Sequence, residues 1–188
     1  GGAGRRMGGL DKAHLMRGGA PLIDHVTARL RPQIEALAIS ANGDAARFGA
    51  GAAVLAVDTP LGPLSGILIA MAWARAGGAD YIASAAVDTP LLPCDLVVRL
   101  HLALDDTPKA QLALARSGGR VHGTFGLWPV ALQDDLAAFL ASGAVPRVTD
   151  FAARHSPAYA DFTDDGAFAN INTAADLAAL QASLGDAL

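Results

Sequence analysis

The chain opens with GGAGRRMGGLDKAHLMR, residues 1–17, in which five glycines are interspersed with basic side chains. Glycine has no Cβ, so its backbone can adopt positive φ and turn several N–H groups toward one ligand. The same stretch holds four of the chain's 14 Lys and Arg residues: Arg5, Arg6, Lys12 and Arg17. Glycine amides beside clustered cations predict a polyphosphate-binding loop.

The glycine spacing excludes two common phosphate motifs. The stretch is neither G-x-x-x-x-G-K-[ST], typical of P-loop NTPases, nor G-x-G-x-x-G, typical of dinucleotide-binding domains. Composition alone leaves open a second interpretation, a glycine-rich terminus without a binding role.

Composition sets the broad class of the protein. With 188 residues and 52% hydrophobic content, we expect one α/β domain over residues 1–188. The net charge of −4 disfavours a nucleic-acid partner, because phosphate-backbone binding needs a wide positive face. Cys94 is the only cysteine, which excludes an intrachain disulfide and favours a reducing cytoplasm. No apolar run reaches the roughly 18 residues of a membrane span, so we expect neither a span nor a signal peptide.

Strand and helix patterns alternate after the opening loop. Helices are predicted over residues 21–30, 65–76, 95–105, 134–141, 148–155 and 174–184, the last capped by Thr173. Strands are predicted over residues 35–40, 53–57, 80–86, 111–115, 121–128, 158–162 and 168–173. This order predicts a Rossmann-like fold, a mostly parallel sheet with helices on both faces. A phosphate loop of this kind follows a buried strand, so we expect that a first strand is missing before Gly1.

The pentapeptide VDTPL occurs twice, at residues 57–61 and 87–91, each time where a predicted strand ends. In parallel α/β sheets the ligand crevice lies beyond the carboxyl ends of the strands, so Asp58 and Asp88 are expected at one rim. A carboxylate there suits Mg²⁺, which takes one or two carboxylates plus substrate phosphates, and Asp88 is the candidate ligand. The alternative is a turn in which each Asp only caps backbone amides.

Several blocks carry a resemblance to a known family. The doubled glycine Gly1-Gly2, the Arg6-Met7-Gly8-Gly9 run and Lys12 resemble the signature loop of the molybdenum cofactor guanylyltransferase (MobA) family. Further similar blocks follow in the family's order: residues 40–42, 58–66, 87–90, 125–129 and 170–173.

The resemblance implies a role for individual residues. Gly1, Gly2 and Lys12 would hold the GTP phosphates, and Asp88 would bind Mg²⁺, with Lys12, Asp88 and Arg6 as the catalytic residues. The guanosine part would contact residues at the strand ends: Ser40, Asn42, Asp58 and Gly62. Asn170, Asn172 and Arg147 would lie on the side of the second substrate, although asparagines at a strand edge also satisfy turn amides.

The implied reaction joins the GMP part of GTP to the phosphate of Mo-molybdopterin and releases pyrophosphate. Two alternatives share the fold, a molybdopterin cytidylyltransferase and a sugar-phosphate nucleotidyltransferase. A third is a non-catalytic nucleotide-binding partner protein. We expect a cytoplasmic monomer with no nucleic-acid or membrane partner, and transient contact with molybdenum-insertion proteins or recipient apoenzymes.

The chain departs from the family pattern at three places. Ser40 stands where the family often has Asn, Arg147 is the only basic residue between 142 and 148, and His122-Gly123 replaces His-Pro. The five histidines show no H-x-x-x-H spacing, so we expect no zinc site, although His122 is a candidate to line the crevice. Trp73 and Trp128 are expected in the core.

Overall fold

A computed structural model describes residues 16–17, 19–41, 52–57, 61–143, 145–171, 173 and 175–176. Its helices are α1 Leu22–Leu30, α2 Pro63–Ala76, α3 Leu96–Asp105, α4 Gln133–Ala141 and α5 Val148–Ala153. Its strands are β1 Met16–Arg17, β2 Ala20–Pro21, β3 Ala38–Ala41, β4 Ala53–Ala56, β5 Tyr81–Ser84, β6 Ala113–Ser117, β7 Arg120–Pro129 and β8 Ala158–Phe162. Three short 3-10 turns cover Arg31–Gln33, Val130–Leu132 and Asp165–Phe168.

The largest described sheet has four strands in the order β5-β7-β6-β8. Strand β7 runs antiparallel to both β5 and β6, whereas β8 is parallel to β6, so β5, β6 and β8 share one direction. Leu114 and Ala115 of β6 pair with Gly126 and His122, so β7 bulges over residues 123–125. Bulges of this kind bend a strand and redirect its side chains.

Two smaller sheets complete the described strands. Strands β3 and β4 are parallel, with Ser40 opposite Leu55, and helix α2 packs against β3. Strands β1 and β2 form a short antiparallel pair just before α1. The β3–β4 pair and the shared direction of β5, β6 and β8 account for the parallel part of the predicted sheet, whereas the antiparallel strand β7 makes the four-stranded sheet mixed.

Helices cover both faces of the four-stranded sheet because side chains alternate between its faces. One face carries Ala113, Ala115, Phe125 and Leu127, packed on α1 and α3 through buried leucines and valines. The opposite face carries Leu112, Leu114 and Trp128, packed on α2, α4 and α5. The predicted two-sided α/β architecture is therefore confirmed, and Trp128 lies in the core as expected, fully buried.

Five of the six predicted helices correspond to α1–α5, with end differences of a few residues. The structure describes only residues 173, 175 and 176 of the last one, where Thr173 Oγ1 accepts a 3.0 Å hydrogen bond from Asp176 N. The predicted strand at residues 168–173 is wrong. Residues Asp165–Phe168 form a 3-10 turn because Asp164 Oδ1 accepts hydrogen bonds from Gly166 N and Ala167 N.

Within the described part of the chain, none of the helices has the length and apolar character needed to cross a lipid bilayer.

Candidate functional site

The described chain contains five of the predicted site residues: Ser40, Gly62, Asp88, Arg147 and Asn170. The other predictions lie outside the described residues: Gly1, Gly2, Arg6, Lys12, Asn42, Asp58 and Asn172. The polyphosphate loop and Asp58 therefore stay predictions.

The structure brings two of the predicted site segments together, the turn after β5 and the segment after the 3-10 turn 165–168. Thr89 Oγ1 donates a 2.9 Å hydrogen bond to Asn170 Oδ1. Ile171 N donates a 2.7 Å hydrogen bond to the Asp88 carbonyl oxygen. Thr89 is fully buried and Ile171 is 2% exposed. Asp88, the candidate metal ligand, and Asn170, the candidate second-substrate residue, therefore belong to one bonded unit.

A buried hydrogen-bond network fixes the end of β5, from which the Asp88 turn departs. Ser84 Oγ accepts a hydrogen bond from Trp128 Nε1 and donates one to the Thr124 carbonyl oxygen, both at 2.8 Å. These bonds tie the last residue of β5 to the bulge of β7 and satisfy the indole N–H of a fully buried Trp128. The turn therefore begins from a fixed strand end.

Ser40 and Gly62 lie on neighbouring elements, β3 and the start of α2. Gly62 precedes α2 with φ 92°, a conformation that strongly favours glycine. Its carbonyl oxygen accepts a 3.3 Å hydrogen bond from Ser65 N, and Ser65 Oγ accepts one from Leu61 N at 3.0 Å. At Gly66, one helical turn on, a Cβ would lie 2.5 Å from Ser40 Oγ. The absence of a side chain at Gly66 lets β3 approach α2 closely.

Arg147 is exposed and immediately precedes α5. Its carbonyl oxygen accepts a 3.2 Å hydrogen bond from Phe151 N, the first turn of that helix. The next residue, Val148, packs on the β7 bulge so closely that a Cβ at Gly123 would lie 3.1 Å from Val148 Cβ. Gly123 thus makes room for the start of the helix that Arg147 precedes.

His122, given only a minor role by sequence reasoning, has several partners. Its Nε2 and Ser117 Oγ share a 2.8 Å hydrogen bond, and its ring stacks on Phe168 with centroids 4.3 Å apart and planes inclined by 11°. Burial lowers the pKa of His122 below its ordinary value and Arg120 lowers it further, while Asp165 acts in the opposite direction. The ring therefore favours its neutral form.

The donor chemistry at Asp88 fits a magnesium ion. A half-buried carboxylate on a turn fixed by neighbouring hydrogen bonds offers the hard oxygen that Mg²⁺ prefers. Among the described residues, no group of three or more His, Cys, Asp or Glu side chains could hold a metal ion by itself.

Solved structures with a similar chain path identify the fold. The Archaeoglobus fulgidus molybdopterin-guanine dinucleotide biosynthesis protein A superposes with a TM-score of 0.77 at 18% identity, covering 99% of this chain and 96% of that one. The Thermus thermophilus 2-C-methyl-D-erythritol 4-phosphate cytidylyltransferase gives 0.67 at 18% identity, covering 93% and 94%. The fold is that of the α/β nucleotidyltransferases.

Sequence similarity then identifies the family. The profile of the MobA-like NTP transferase domain matches residues 1–158. A molybdenum cofactor guanylyltransferase from Cereibacter sphaeroides is 55% identical over 185 residues, covering 98% of this chain and 93% of that protein. The chain belongs to the MobA-like NTP transferase family, which confirms the resemblance seen in the opening loop.

Proposed function

We propose that this chain transfers the GMP part of GTP to Mo-molybdopterin and releases pyrophosphate. The observation that carries the proposal is the bonded unit of Asp88, Thr89, Asn170 and Ile171, with its hydrogen bonds of 2.9 and 2.7 Å. It joins the candidate metal ligand on the nucleotide side to the candidate residue on the second-substrate side. A relative at 55% identity that is named as a molybdenum cofactor guanylyltransferase supports the same reaction.

The proposed step is an in-line displacement at phosphorus. A phosphate oxygen of Mo-molybdopterin attacks the α-phosphorus of GTP, and the bond from that phosphorus to the oxygen bridging to the β-phosphorus breaks. Pyrophosphate leaves with the electron pair of the broken bond. Such reactions depend on positioning and charge neutralisation more than on covalent help from the protein.

The protein's own residues would supply that positioning. In this proposal Gly1 and Gly2 donate backbone N–H groups to the triphosphate, while Lys12 and Arg6 neutralise the charge that develops on the leaving pyrophosphate. Ser40, Asn42, Asp58 and Gly62 hold the guanosine part, and Asn170, Asn172 and Arg147 orient the pterin substrate.

Asp88 would hold Mg²⁺ in this proposal. A bound Mg²⁺ neutralises phosphate charge and orients the triphosphate oxygens. The Thr89 and Ile171 hydrogen bonds hold the turn around Asp88 against the segment that carries Asn170.

The reaction is tested by incubating purified protein with Mg²⁺, Mo-molybdopterin and either GTP or CTP, and measuring pyrophosphate and the dinucleotide product. We expect product with GTP and at least a tenfold lower kcat/KM with CTP, roughly the discrimination that a few base-edge hydrogen bonds provide. Preference for CTP would identify a cytidylyltransferase. GTP binding without pyrophosphate release would identify a silent nucleotide-binding protein. Transfer only to a sugar phosphate, supplied in place of Mo-molybdopterin, would identify a sugar-phosphate nucleotidyltransferase.

The role of Asp88 has a separate test that does not depend on turnover. GTP affinity is measured with and without Mg²⁺ for the wild type, for Asp88→Asn and for the control Asp105→Asn, which lies exposed at the end of α3. We expect Mg²⁺ to strengthen GTP binding in the wild type and the control, and to have no effect in Asp88→Asn. An undiminished Mg²⁺ effect in Asp88→Asn would remove Asp88 as the ligand.

A further inference from the structure

His122 and Phe168 form the closest aromatic stack among the described residues, joining strand β7 to the 3-10 turn 165–168. Their ring centroids are 4.3 Å apart and their planes differ by 11°. His122 is half-buried, and Phe168 is only 5% exposed. A stacked pair of this kind is worth more than the apolar area that it buries.

Phe168 is the centre of an aromatic cluster that also contains Phe125 and Phe162. Both rings meet Phe168 edge-on, with centroids 5.1 Å away. Phe125 and Phe162 belong to β7 and β8, so they hold Phe168 on the sheet, while His122 packs on the face of its ring. His122 is therefore the one polar member of a cluster that anchors the 3-10 turn.

The anchored turn leads directly into the proposed second-substrate segment. Ala169 N donates a 3.1 Å hydrogen bond to the Gly166 carbonyl oxygen, which keeps the chain close to the turn. The next two residues, Asn170 and Ile171, make the hydrogen bonds to Thr89 and Asp88. A shift of Phe168 would therefore move Asn170, two residues away, relative to Asp88.

Polar contacts set the position of the His122 ring itself. Ser117 Oγ at the end of β6 holds Nε2 at 2.8 Å. The charged groups that act on the ring are Arg120 on its own strand and Asp165 on the 3-10 turn. Asp165 in turn lies against the β6–β7 turn, where a Cβ on Gly118 would be 2.6 Å from its Oδ2. The hairpin tip and the 3-10 turn thus meet near His122.

We propose that His122 is a positioning residue for the second substrate, which acts through its stack on Phe168 to hold Asn170 beside the Asp88 turn. This inference rests on the proposed guanylyl transfer to Mo-molybdopterin. It gives His122 no contact with GTP, so its effect should fall on one substrate and not on the other.

The kinetic test compares His122→Ala, which removes the ring, with His122→Phe, which keeps a stacking ring but loses the Ser117 bond. We expect His122→Ala to raise the KM for Mo-molybdopterin about threefold to tenfold, the range set by the strength of one aromatic pair, with the KM for GTP unchanged. His122→Phe should have a KM for Mo-molybdopterin close to the wild-type value. The control is His101→Ala. His101 lies on α3 and also contacts an aromatic ring, that of Tyr81 with centroids 5.4 Å apart, but it does not touch Phe168 in any ring contact described above.

Two kinetic outcomes would overturn the inference. One is an equal rise in both KM values for His122→Ala, which would indicate a general loss of structure. The other is a His122→Phe variant as impaired as His122→Ala, because the stack would then not be the relevant contact.

Hydrogen exchange at the Ile171 amide tests the positioning without any turnover. The hydrogen bond from Ile171 N to the Asp88 carbonyl oxygen should protect this amide from exchange. We expect roughly tenfold faster exchange in His122→Ala, and near wild-type exchange in His122→Phe and His101→Ala. Unchanged protection of Ile171 in His122→Ala would overturn the inference. If the wild type fails to transfer GMP, the proposed function fails, but the exchange result still decides whether His122 holds this segment.

Discussion

The Thr89 hydroxyl donates a 2.9 Å hydrogen bond to the side-chain oxygen of Asn170, 81 residues further along the chain. Thr89 is fully buried, whereas the Asn170 residue is exposed. One end of this bond is therefore fixed by the core and the other lies at the protein surface. The bond gives a flexible amide a defined orientation next to Asp88.

Removing this hydroxyl should loosen Asn170 without unfolding the protein. Thr89→Val keeps the shape of the side chain but loses the donor, and we expect the free energy of unfolding to fall by about 1 kcal/mol, the net value of one hydrogen bond. The KM for Mo-molybdopterin should rise while the KM for GTP is unchanged. Thr89→Ser, which retains the hydroxyl, is the control and should keep both KM values. Wild-type kinetics and stability in Thr89→Val would show that the hydrogen bond contributes neither to substrate binding nor to stability.

The close approach of Gly66 and Ser40 predicts that Gly66→Ala changes the free energy of unfolding differently in the wild type and in the Ser40→Ala variant. Gly66→Ala in a helix normally stabilises by about 1 kcal/mol. Here the new Cβ would lie 2.5 Å from Ser40 Oγ, so the gain should be lost in the wild type. Ser40→Ala removes this Oγ and leaves the Cβ of residue 40, which would lie 3.4 Å from the new Cβ at residue 66. In that background G66A should therefore stabilise the protein. Urea unfolding of the four proteins measures this coupling; equal effects of G66A in both backgrounds would contradict it.

Gly126 should tolerate no side chain. A Cβ there would lie 2.8 Å from Leu114 Cδ2 and 2.9 Å from two indole carbons of Trp128. Because these neighbours are buried, we expect Gly126→Ala to lower the free energy of unfolding by about 1–3 kcal/mol, as overpacking of a core does. The control is Gly77→Ala, at an exposed position with negative φ and no neighbour nearer than 3.4 Å. A stable Gly126→Ala would mean that the sheet adjusts locally.

The lowered pKa of His122 predicts how stability depends on pH. As the pH falls, His122 in the unfolded chain binds a proton at its ordinary pKa of 6.5, before His122 in the folded chain does. The contribution of His122 to stability is therefore fully present above that pH. It is lost as the pH falls through the lowered pKa, because burial and Arg120 disfavour the charged ring. The free energy of unfolding should therefore fall more steeply as the pH drops below 6.5 in the wild type than in His122→Phe. The other four histidines are present in both proteins, so identical slopes would contradict the prediction.

Local sequence patterns were sufficient for most of the elements. The apolar spacing at residues 22, 23, 26 and 30 predicted α1, and all four positions are buried. The segment at residues 168–173 was predicted incorrectly as a strand. Its Ala169 N bonds to the Gly166 carbonyl oxygen and its Ile171 N to the Asp88 carbonyl oxygen. Sequence spacing does not reveal a partner as distant along the chain as Asp88.

The sequence by itself determined the class of the protein. The glycine-rich loop with its cations, the two VDTPL repeats at strand ends and the alternation of helices and strands predicted a polyphosphate site on an α/β fold, because these signals depend only on neighbouring residues. The resemblance of the loop and of later blocks to known proteins indicated the family. Only the tertiary structure decided that Asn170 bonds to Thr89, that Gly123 admits Val148, and that His122 stacks on Phe168. These relationships join residues on separate elements, and they depend on how the β7 bulge and the 3-10 turn pack against each other.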